Sequence, residues 1–226
     1  MMKKAIMLIV FSVLIGKIHA QKEITRNLGD FNELKVFDKI QVTLVKSEEN
    51  KIEITGIKRR DVNVVQNGNL LKIRMSLNNL WDGNNTKVIL FYKELKKLDV
   101  NEGARIASDD VITSRKLDIR AQEGGKIDAK IETDFLYAKS VTGGVLELEG
   151  DAKEQEVVIN SGGQFYGRNL ETVETQVRVS AGGIAEVNAN IYLKANTNAG
   201  GTIRVFGNPK ELDTQKLLGG KIIEVN

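Results

Sequence analysis

Cysteine is absent from this chain of 226 residues, and histidine occurs once, as His19. Without cysteine the protein has no disulfide, no zinc–thiolate site and no cysteine nucleophile. His19 lies in an N-terminal segment that we expect to be removed, so the remaining chain has no histidine either. These absences exclude Ser-His-Asp catalysis, Cys-His catalysis and histidine metal sites. We therefore predict no catalytic residue, no metal site and no cofactor.

The chain also lacks a hydrophobic run of the length needed to cross a membrane, which is about 20 residues. Its N-terminus has two lysines, Lys3 and Lys4, then an apolar stretch from Ala5 to Ile15, then the small residue Ala20. This arrangement is typical of a secretory signal peptide. We predict cleavage after Ala20, with a membrane anchor as the alternative. The protein is then exported to the periplasm, the outer surface or the medium, with no transmembrane segment after cleavage.

The chain also has no excess of positive or negative charge once the signal peptide is removed. Loss of Lys3, Lys4 and Lys17 lowers the number of basic residues from 33 to 30, which equals the number of acidic residues. The one basic cluster, Lys58-Arg59-Arg60, is typical of a solvated turn. We therefore predict no nucleic-acid partner.

Proline is nearly absent, but glycine is frequent and regularly placed. From residue 103 onward glycines recur as pairs at spacings of 18 to 20 residues. A period near 19 residues indicates an internal structural repeat. A sharp corner between two strands needs a positive φ angle that glycine adopts freely, so we predict that the pairs are structural corners. The pairs are Gly124 and Gly125, Gly143 and Gly144, Gly162 and Gly163, Gly182 and Gly183, Gly200 and Gly201, and Gly219 and Gly220.

Each glycine pair is flanked by segments in which apolar and polar residues alternate. Ile127 and Ala129, for example, enclose Asp128, and Leu146 and Leu148 enclose Glu147. Such period-two alternation predicts a strand with one buried face. Because every corner is of one type at one phase, the turns of the chain can stack like over like. The sequence therefore predicts an all-β fold, a parallel β-helix with coils of about 19 residues.

Polar side chains precede most of the glycine pairs at one phase of the repeat. They can hydrogen-bond the corner backbone and stack as a ladder, and the alternative is a polar binding strip. Val141 interrupts the series, whose members are Asn101, Gln122, Asn160, Ser180 and Asn198.

The first part of the exported chain is also β-rich but less regular. Alternation predicts strands near residues 40–44 and 52–54, and Asn67-Gly68 between two apolar segments predicts a hairpin or tight corner. The longest polar loop spans residues 76–87. No linker divides the chain, so we predict one domain over residues 21–226, with an irregular part (21–97) and regular coils (98–226).

The chain resembles the autotransporter adhesin head GIN domain family, a domain of unknown function in secreted Bacteroidetes proteins. The resemblance covers nearly all of the exported chain. It includes Ile40 to Leu44, Asn67 to Leu70, the Gly-Gly corners, and the closing segment from Gly200 to Pro209. It implies a right-handed parallel β-helix in an exported or cell-surface protein with an adhesion or glycan-binding role. It supplies no catalytic motif.

Candidate ligand-binding residues are few. Trp81 is the sole tryptophan and lies in the 76–87 loop beside Asp82 and Asn84. An exposed indole can stack on a sugar face while Asp and Asn supply hydrogen bonds. The alternative is that Trp81 folds back over the end of the β body. Tyr166 is a further candidate because the register places it on an outward position.

The outward positions of the predicted coils also carry charged residues. Asp128, Glu147, Tyr166, Glu186 and Arg204 share one phase of the repeat. Two neighbouring carboxylates could share a cation or perform acid–base chemistry, but such rows are more often solvated.

We predict a non-enzymatic, adhesin-like binding protein that presents a β-helix surface to a glycan or another cell-surface macromolecule. The first alternative is a polysaccharide lyase or hydrolase on the same fold. The second is a structural assembly protein of the envelope, since exposed β-helix ends favour self-association by edge pairing.

Overall fold

Alternating sequence patterns form strands along almost the whole chain in the computed structural model, which describes residues 23–80 and 82–225. The predicted signal peptide and Trp81 lie outside the described residues. Within those residues, 16 strands join in one sheet that winds into a β-solenoid of about seven turns. Short 3-10 turns occur at Arg59–Asp61, Leu77–Asn79 and Gly83–Asn85.

The regular coils are built from long strands that each bend across two faces of the solenoid. Consecutive strands pair in parallel and in register over most of their length. The predicted parallel β-helix with coils of about 19 residues is therefore confirmed. The long strands are β9 (Arg105–Ala121), β10 (Lys126–Ser140), β11 (Val145–Ile159), β12 (Gln164–Val179) and β13 (Ile184–Thr197). The short strands β14 (Thr202–Phe206), β15 (Glu211–Lys216) and β16 (Lys221–Glu224) complete the C-terminal end.

The core consists of inward side chains that stack from coil to coil. Parallel in-register pairing places equivalent residues above one another, so a period of about 19 residues in sequence becomes a column in space. One such column is wholly buried and runs through Ile106, Ile127, Leu146, Phe165, Ala185 and Ile203.

The two glycines of a corner are required for different reasons. The residue before the pair and the first glycine both have positive φ, as at Glu123 (51°) and Gly124 (73°). The Gly125 N–H donates to the Gln122 carbonyl (2.9 Å) and closes the turn. A Cβ on the first glycine of each pair would meet open space, whereas one on Gly144 would overlap the Ala121 carbonyl of the preceding coil. The first glycine thus serves the left-handed backbone and the second serves close coil stacking.

The first corner, at Glu102, Gly103 and Ala104, follows the same backbone path. Its two positive φ angles are 54° and 69°. Ala104 replaces the second glycine, and it packs fully buried against the irregular N-terminal part.

The polar residues before the glycine pairs form only part of the expected ladder. Gln122 Nε2 donates to Asn101 Oδ1 (3.2 Å), but Asn160 Oδ1 instead accepts from the Ser161 N–H (2.7 Å). The main continuous ladder at this edge is made by the backbone, where each first-glycine N–H donates to the next coil, as Gly124 does to the Thr142 carbonyl (3.1 Å). Backbone geometry therefore repeats more faithfully than side-chain bonding.

The N-terminal part contains both parallel and antiparallel strands. Its strands are β1 (Ile24–Asn27), β2 (Glu33–Val36), β3 (Gln41–Lys46), β4 (Lys51–Gly56), β5 (Val62–Asn67), β6 (Leu70–Met75), β7 (Thr86–Tyr92) and β8 (Lys97–Val100). Five of them, β2, β3, β6, β7 and β8, pair in parallel and continue the solenoid from β9. Antiparallel strands β1 and β5 lie at the outer edges, and antiparallel β4 lies between β1 and β7. Strands β5 and β6 form the hairpin predicted at Asn67-Gly68.

Candidate functional site

A groove follows the second bend of the coils, where each long strand passes from one face to the other. We call it the edge groove, and its volume is about 670 Å³. It crosses five successive strands, β9 to β13, which are separated by four strand spacings, or about 19 Å. Its lining residues are Thr113, Ser114, Arg115, Glu132, Thr133, Asp134, Asp151, Ala152, Lys153, Glu171, Thr172, Val173 and Asn190.

Small residues form the floor of the edge groove because a strand that bends inward leaves little room for a side chain. Ser114, Thr133, Ala152 and Thr172 pair in register, and the last three are buried. Ser114 Oγ donates to the Lys116 carbonyl (2.9 Å), and Thr133 Oγ1 donates to the Phe135 carbonyl (3.1 Å). On both coils the hydroxyl thus donates to the carbonyl two residues ahead. This hydrogen bond fixes the bend and holds the side chain close to the backbone at the groove floor.

One wall of the edge groove is a column of carboxylates. Glu132, Asp151 and Glu171 pair in register on three successive strands. None of the three makes an ion pair with another residue in the described part of the chain. Their oxygens are therefore available to accept hydrogen bonds from a ligand.

The opposite wall is tied together by an ion-pair chain across three coils. Lys153 Nζ lies 2.6 Å from Asp134, and Arg115 Nε lies 3.9 Å from the same carboxylate. The hydrogen bond and charge of Lys153 lower the pKa of Asp134, and Arg115 adds to the effect. Val173 continues this wall with an exposed apolar side chain. The groove thus presents acceptors on one side and donors with an apolar surface on the other.

The edge groove has the size and the polar lining of a ligand-binding site. Its volume lies in the range of known ligand sites, about 300–1,000 Å³. Its polar groups are carboxylates, cations, hydroxyls and an amide, spread over about 19 Å instead of converging on one point. In residues 23–80 and 82–225, no group of three or more acidic side chains is arranged to hold a metal ion.

The outward ladder predicted from the sequence is present on the other side of the coils. Asp128, Glu147, Tyr166, Glu186 and Arg204 pair in register on successive strands. Part of its charge is neutralised internally, because Lys126 binds Glu147 (2.7 Å) and Arg204 binds Glu186 (3.3 Å).

Four ladder members, Asp128, Glu147, Tyr166 and Glu186, line a smaller groove of about 360 Å³ together with Arg168. Burial, followed by the charge of Glu147, raises the pKa of Asp128. The Tyr166 hydroxyl already donates to Gln164 Oε1 (2.6 Å), and its ring is half-buried. This hydroxyl is therefore less available to a ligand than a free tyrosine would be.

The structure places the predicted loop residues away from Tyr166. Asp82 pairs with Lys58 (3.5 Å), Asn84 is exposed, and the Gly83 N–H donates to the Asp38 carbonyl (3.0 Å). Asp38 lies three residues before β3, and β3 lies four strands from β12, about 19 Å along the sheet. The candidate residues therefore do not form one site with Tyr166. Trp81 lies outside the described residues, and the ligand-binding role of all four stays a prediction.

Sequence reasoning missed the edge groove, although a pattern for it exists. Ser114, Thr133, Ala152 and Thr172 recur at spacings of 19, 19 and 20 residues. They lie about half a period from the glycine pairs, where small residues attract less attention than glycine. A second column of small residues in a β-solenoid thus indicates a second bend.

Fold and groove together define the class of this protein, a β-solenoid with a long open surface. The chain belongs to the family described as "Putative auto-transporter adhesin, head GIN domain", whose model matches residues 30–209. The resemblance noted in the sequence is therefore confirmed. A comparison with curated proteins found no significant match.

Solved structures from Bacteroides and Parabacteroides species share the fold. A protein of Bacteroides fragilis NCTC 9343 titled a putative adhesin has a TM-score of 0.82 at 19% identity, covering 91% of this chain and 98% of its own. A putative adhesin of Parabacteroides distasonis ATCC 8503 has a TM-score of 0.70 at 20% identity, covering 90% and 96%.

A second Parabacteroides distasonis structure has a different description. It is titled a putative lipid binding protein and has a TM-score of 0.65 at 16% identity, covering 92% of this chain and 98% of its own. At these identities the likeness establishes the fold alone. The described residues contain no helix that is long and apolar enough to cross a membrane.

Proposed function

We propose that the protein is an exported, non-enzymatic adhesin that holds an extended glycan along the edge groove. Its membership of an adhesin family supports the general role. The N-terminal pattern of residues 1–20 supports export, to the periplasm, the outer surface or the medium.

The observation that carries the proposal is the repetition of the groove from coil to coil. Every coil from β9 to β12 contributes one small residue to the floor and one residue to each wall. The wall residues are polar or charged, except for apolar Val173 on β12. A linear polymer of repeating units can contact successive coils in the same way. Sugar hydroxyls both donate and accept hydrogen bonds, so they match carboxylates on one wall and cations on the other. Affinity then comes from several modest contacts rather than one deep pocket.

A glycan-array screen of residues 21–226 tests this proposal. The test variant is Asp151→Asn with Glu171→Gln, which keeps the size of one wall but removes its charge. The matched control is Asp128→Asn with Glu186→Gln on the outward ladder, and Trp81→Ala examines the 76–87 loop. We expect selective binding that weakens about tenfold or more in the groove variant and persists in the other two.

Other outcomes lead to different conclusions. Binding that is lost only in Trp81→Ala would move the site to the 76–87 loop and contradict the groove. Cleavage of a bound glycan would support the enzymatic alternative. Absence of binding to any glycan would reject the lectin role and favour an envelope assembly protein.

A further inference from the structure

Two connections at the N-terminal part of the molecule project side by side and form a tip. They are residues 56–61 and 76–80 with 82–85, which we call the double-loop tip. Both leave the sheet at one end, because Val62 pairs with Met75 and Gly56 pairs with Thr86. The Ser76 N–H donates to the Asp61 carbonyl (2.7 Å), and Lys58 Nζ donates to Asn79 Oδ1 (2.9 Å).

The double-loop tip has a tightly packed base. A Cβ on Gly56 would overlap the Asn85 carbonyl, and one on Gly83 would overlap the Asp38 carbonyl. The backbones therefore approach each other more closely than any other residue type would permit. These close backbone contacts fix the base of both loops against the sheet.

Large aliphatic side chains at the tip face solvent. Ile57 is 71% exposed, Leu77 is 77% exposed and Leu80 is 37% exposed. A single exposed aliphatic residue is ordinary, but three on two loops joined by hydrogen bonds give the tip an apolar character.

Basic side chains accompany these apolar residues. Lys58 pairs with Asp82 (3.5 Å), so their charges cancel. Arg59 and Arg60 make no ion pair within the described part of the chain, and Asp61 is the remaining acid of these two loops. Arg59 Nη1 donates to the Gly56 carbonyl (3.0 Å), which holds this guanidinium at the base of the tip.

We propose that the double-loop tip docks the protein on an anionic phospholipid bilayer. Ile57, Leu77 and Leu80 enter the interfacial region, and Arg59 and Arg60 contact lipid phosphates. Aliphatic side chains that project next to cations match a surface that is apolar beneath a layer of anionic headgroups. A protein partner would be matched better by a flat or concave patch with a polar rim.

The position of the tip is compatible with the proposed glycan groove. Gly83 and Asp38 lie beside the glycine corners, since the Lys39 N–H donates to the Glu102 carbonyl (3.0 Å). The edge groove follows the opposite bend of the coils. Docking by the tip therefore leaves the groove accessible, and the two proposals can fail independently.

Vesicle binding by residues 21–226 tests the docking proposal, with Trp81 as the reporter because it is the only tryptophan and adjoins Leu80 in sequence. The probes are vesicles of phosphatidylcholine alone and of phosphatidylcholine with phosphatidylglycerol. We expect co-sedimentation and a blue shift of Trp81 emission with the anionic vesicles only, both weakened by salt. Ile57→Ser with Leu77→Ser lowers the apparent affinity roughly tenfold or more, and Arg60→Gln lowers it in low salt.

The matched control replaces two exposed aliphatic residues on the coils, Val111→Ser with Ile191→Ser, and keeps wild-type binding. Circular dichroism confirms that each variant is folded. Failure to bind the anionic vesicles at low salt would overturn the proposal. Equal binding to neutral vesicles, or equal loss in the coil control, would also overturn it.

Discussion

Individual glycines in the corners have separable roles that single substitutions distinguish. Gly143 has a φ of 71°, and a Cβ there would meet open space. A Cβ on Gly144 would instead overlap the Ala121 carbonyl of the preceding coil. The cost at Gly143 is therefore conformational and local, whereas the cost at Gly144 is a displacement of two stacked coils.

We predict that Gly144→Ala destabilises the fold more than Gly143→Ala does. A left-handed alanine costs about 1–2 kcal/mol. Overpacking typically costs about 1–3 kcal/mol and occasionally more, and we expect the upper end at Gly144 because the overlapped atom belongs to the backbone. Urea unfolding of the two variants and the wild type measures the difference. Equal losses of stability would contradict the assignment of separate roles.

Glu102 carries an unfavourable negative charge at the first corner. Burial raises the pKa of its carboxyl, and so do a hydrogen bond to Asp38 and the charges of Asp38 and Glu123, while Arg74 opposes the shift. The Asp38 side chain is buried and accepts from the Met75 N–H (2.9 Å). Protonation of Glu102 therefore favours the folded state.

The resulting pH dependence has a defined sign. Because the folded pKa of Glu102 exceeds its unfolded value, its stabilising contribution is complete below the unfolded pKa and is lost as pH rises through the folded pKa. We predict that Glu102→Gln is more stable than wild type at neutral pH and that the advantage disappears near pH ~4. Thermal unfolding across this range measures it. A difference between Glu102→Gln and wild type that stays constant across this range would refute the account.

At the scale of elements, the two ends of the solenoid are protected differently. Antiparallel strands β1, β4 and β5 cover the N-terminal edges. At the C-terminal end, β15 and β16 have exposed outer edges, but they carry charges at inward positions. Lys216 stacks on buried Thr197, and Glu224 stacks on buried Val205. Inward charges on an edge strand disfavour pairing with another chain.

We predict that replacing these two charges promotes self-association. Lys216→Val with Glu224→Val extends the apolar columns to the open end, so a second copy can stack on it. Analytical ultracentrifugation should find concentration-dependent oligomers for this variant and far fewer for wild type. The outward pair Asp213→Val with Lys221→Val is the control. Equal association of wild type and variant would show that the inward charges do not protect the end.

The elements also show how far sequence reasoning reaches. The glycine period and the alternation around Ile127 and Leu146 predict the stacked coils, because repetition in sequence becomes stacking in space. Alternation also predicted a strand near residues 52–54, but the partner and the antiparallel orientation of β4 could not be assigned. Its paired residues in β7 lie 30 to 40 residues away, and no repeat relates the two strands. The edge groove escaped prediction because serine, threonine and alanine are common in any chain. The role of Trp81 remains a prediction.

For the molecule as a whole, rigid repetition is the central property. Stacked coils hold the walls of the edge groove at fixed spacings over about 19 Å, so little conformational entropy remains to be lost when a ligand binds. An extended chain laid along the groove gains contacts with each coil it reaches. Its affinity should therefore increase with its length until the groove is filled.

The most direct test is calorimetric titration of residues 21–226 with a series of oligosaccharides of increasing length, taken from a glycan that the protein binds. We predict that affinity rises with each added sugar and levels off once the ligand spans about 19 Å, the distance from β9 to β13. In Asp151→Asn with Glu171→Gln this rise should be reduced. Affinity that is independent of length, or a rise that the groove variant leaves unchanged, would contradict binding along the edge groove.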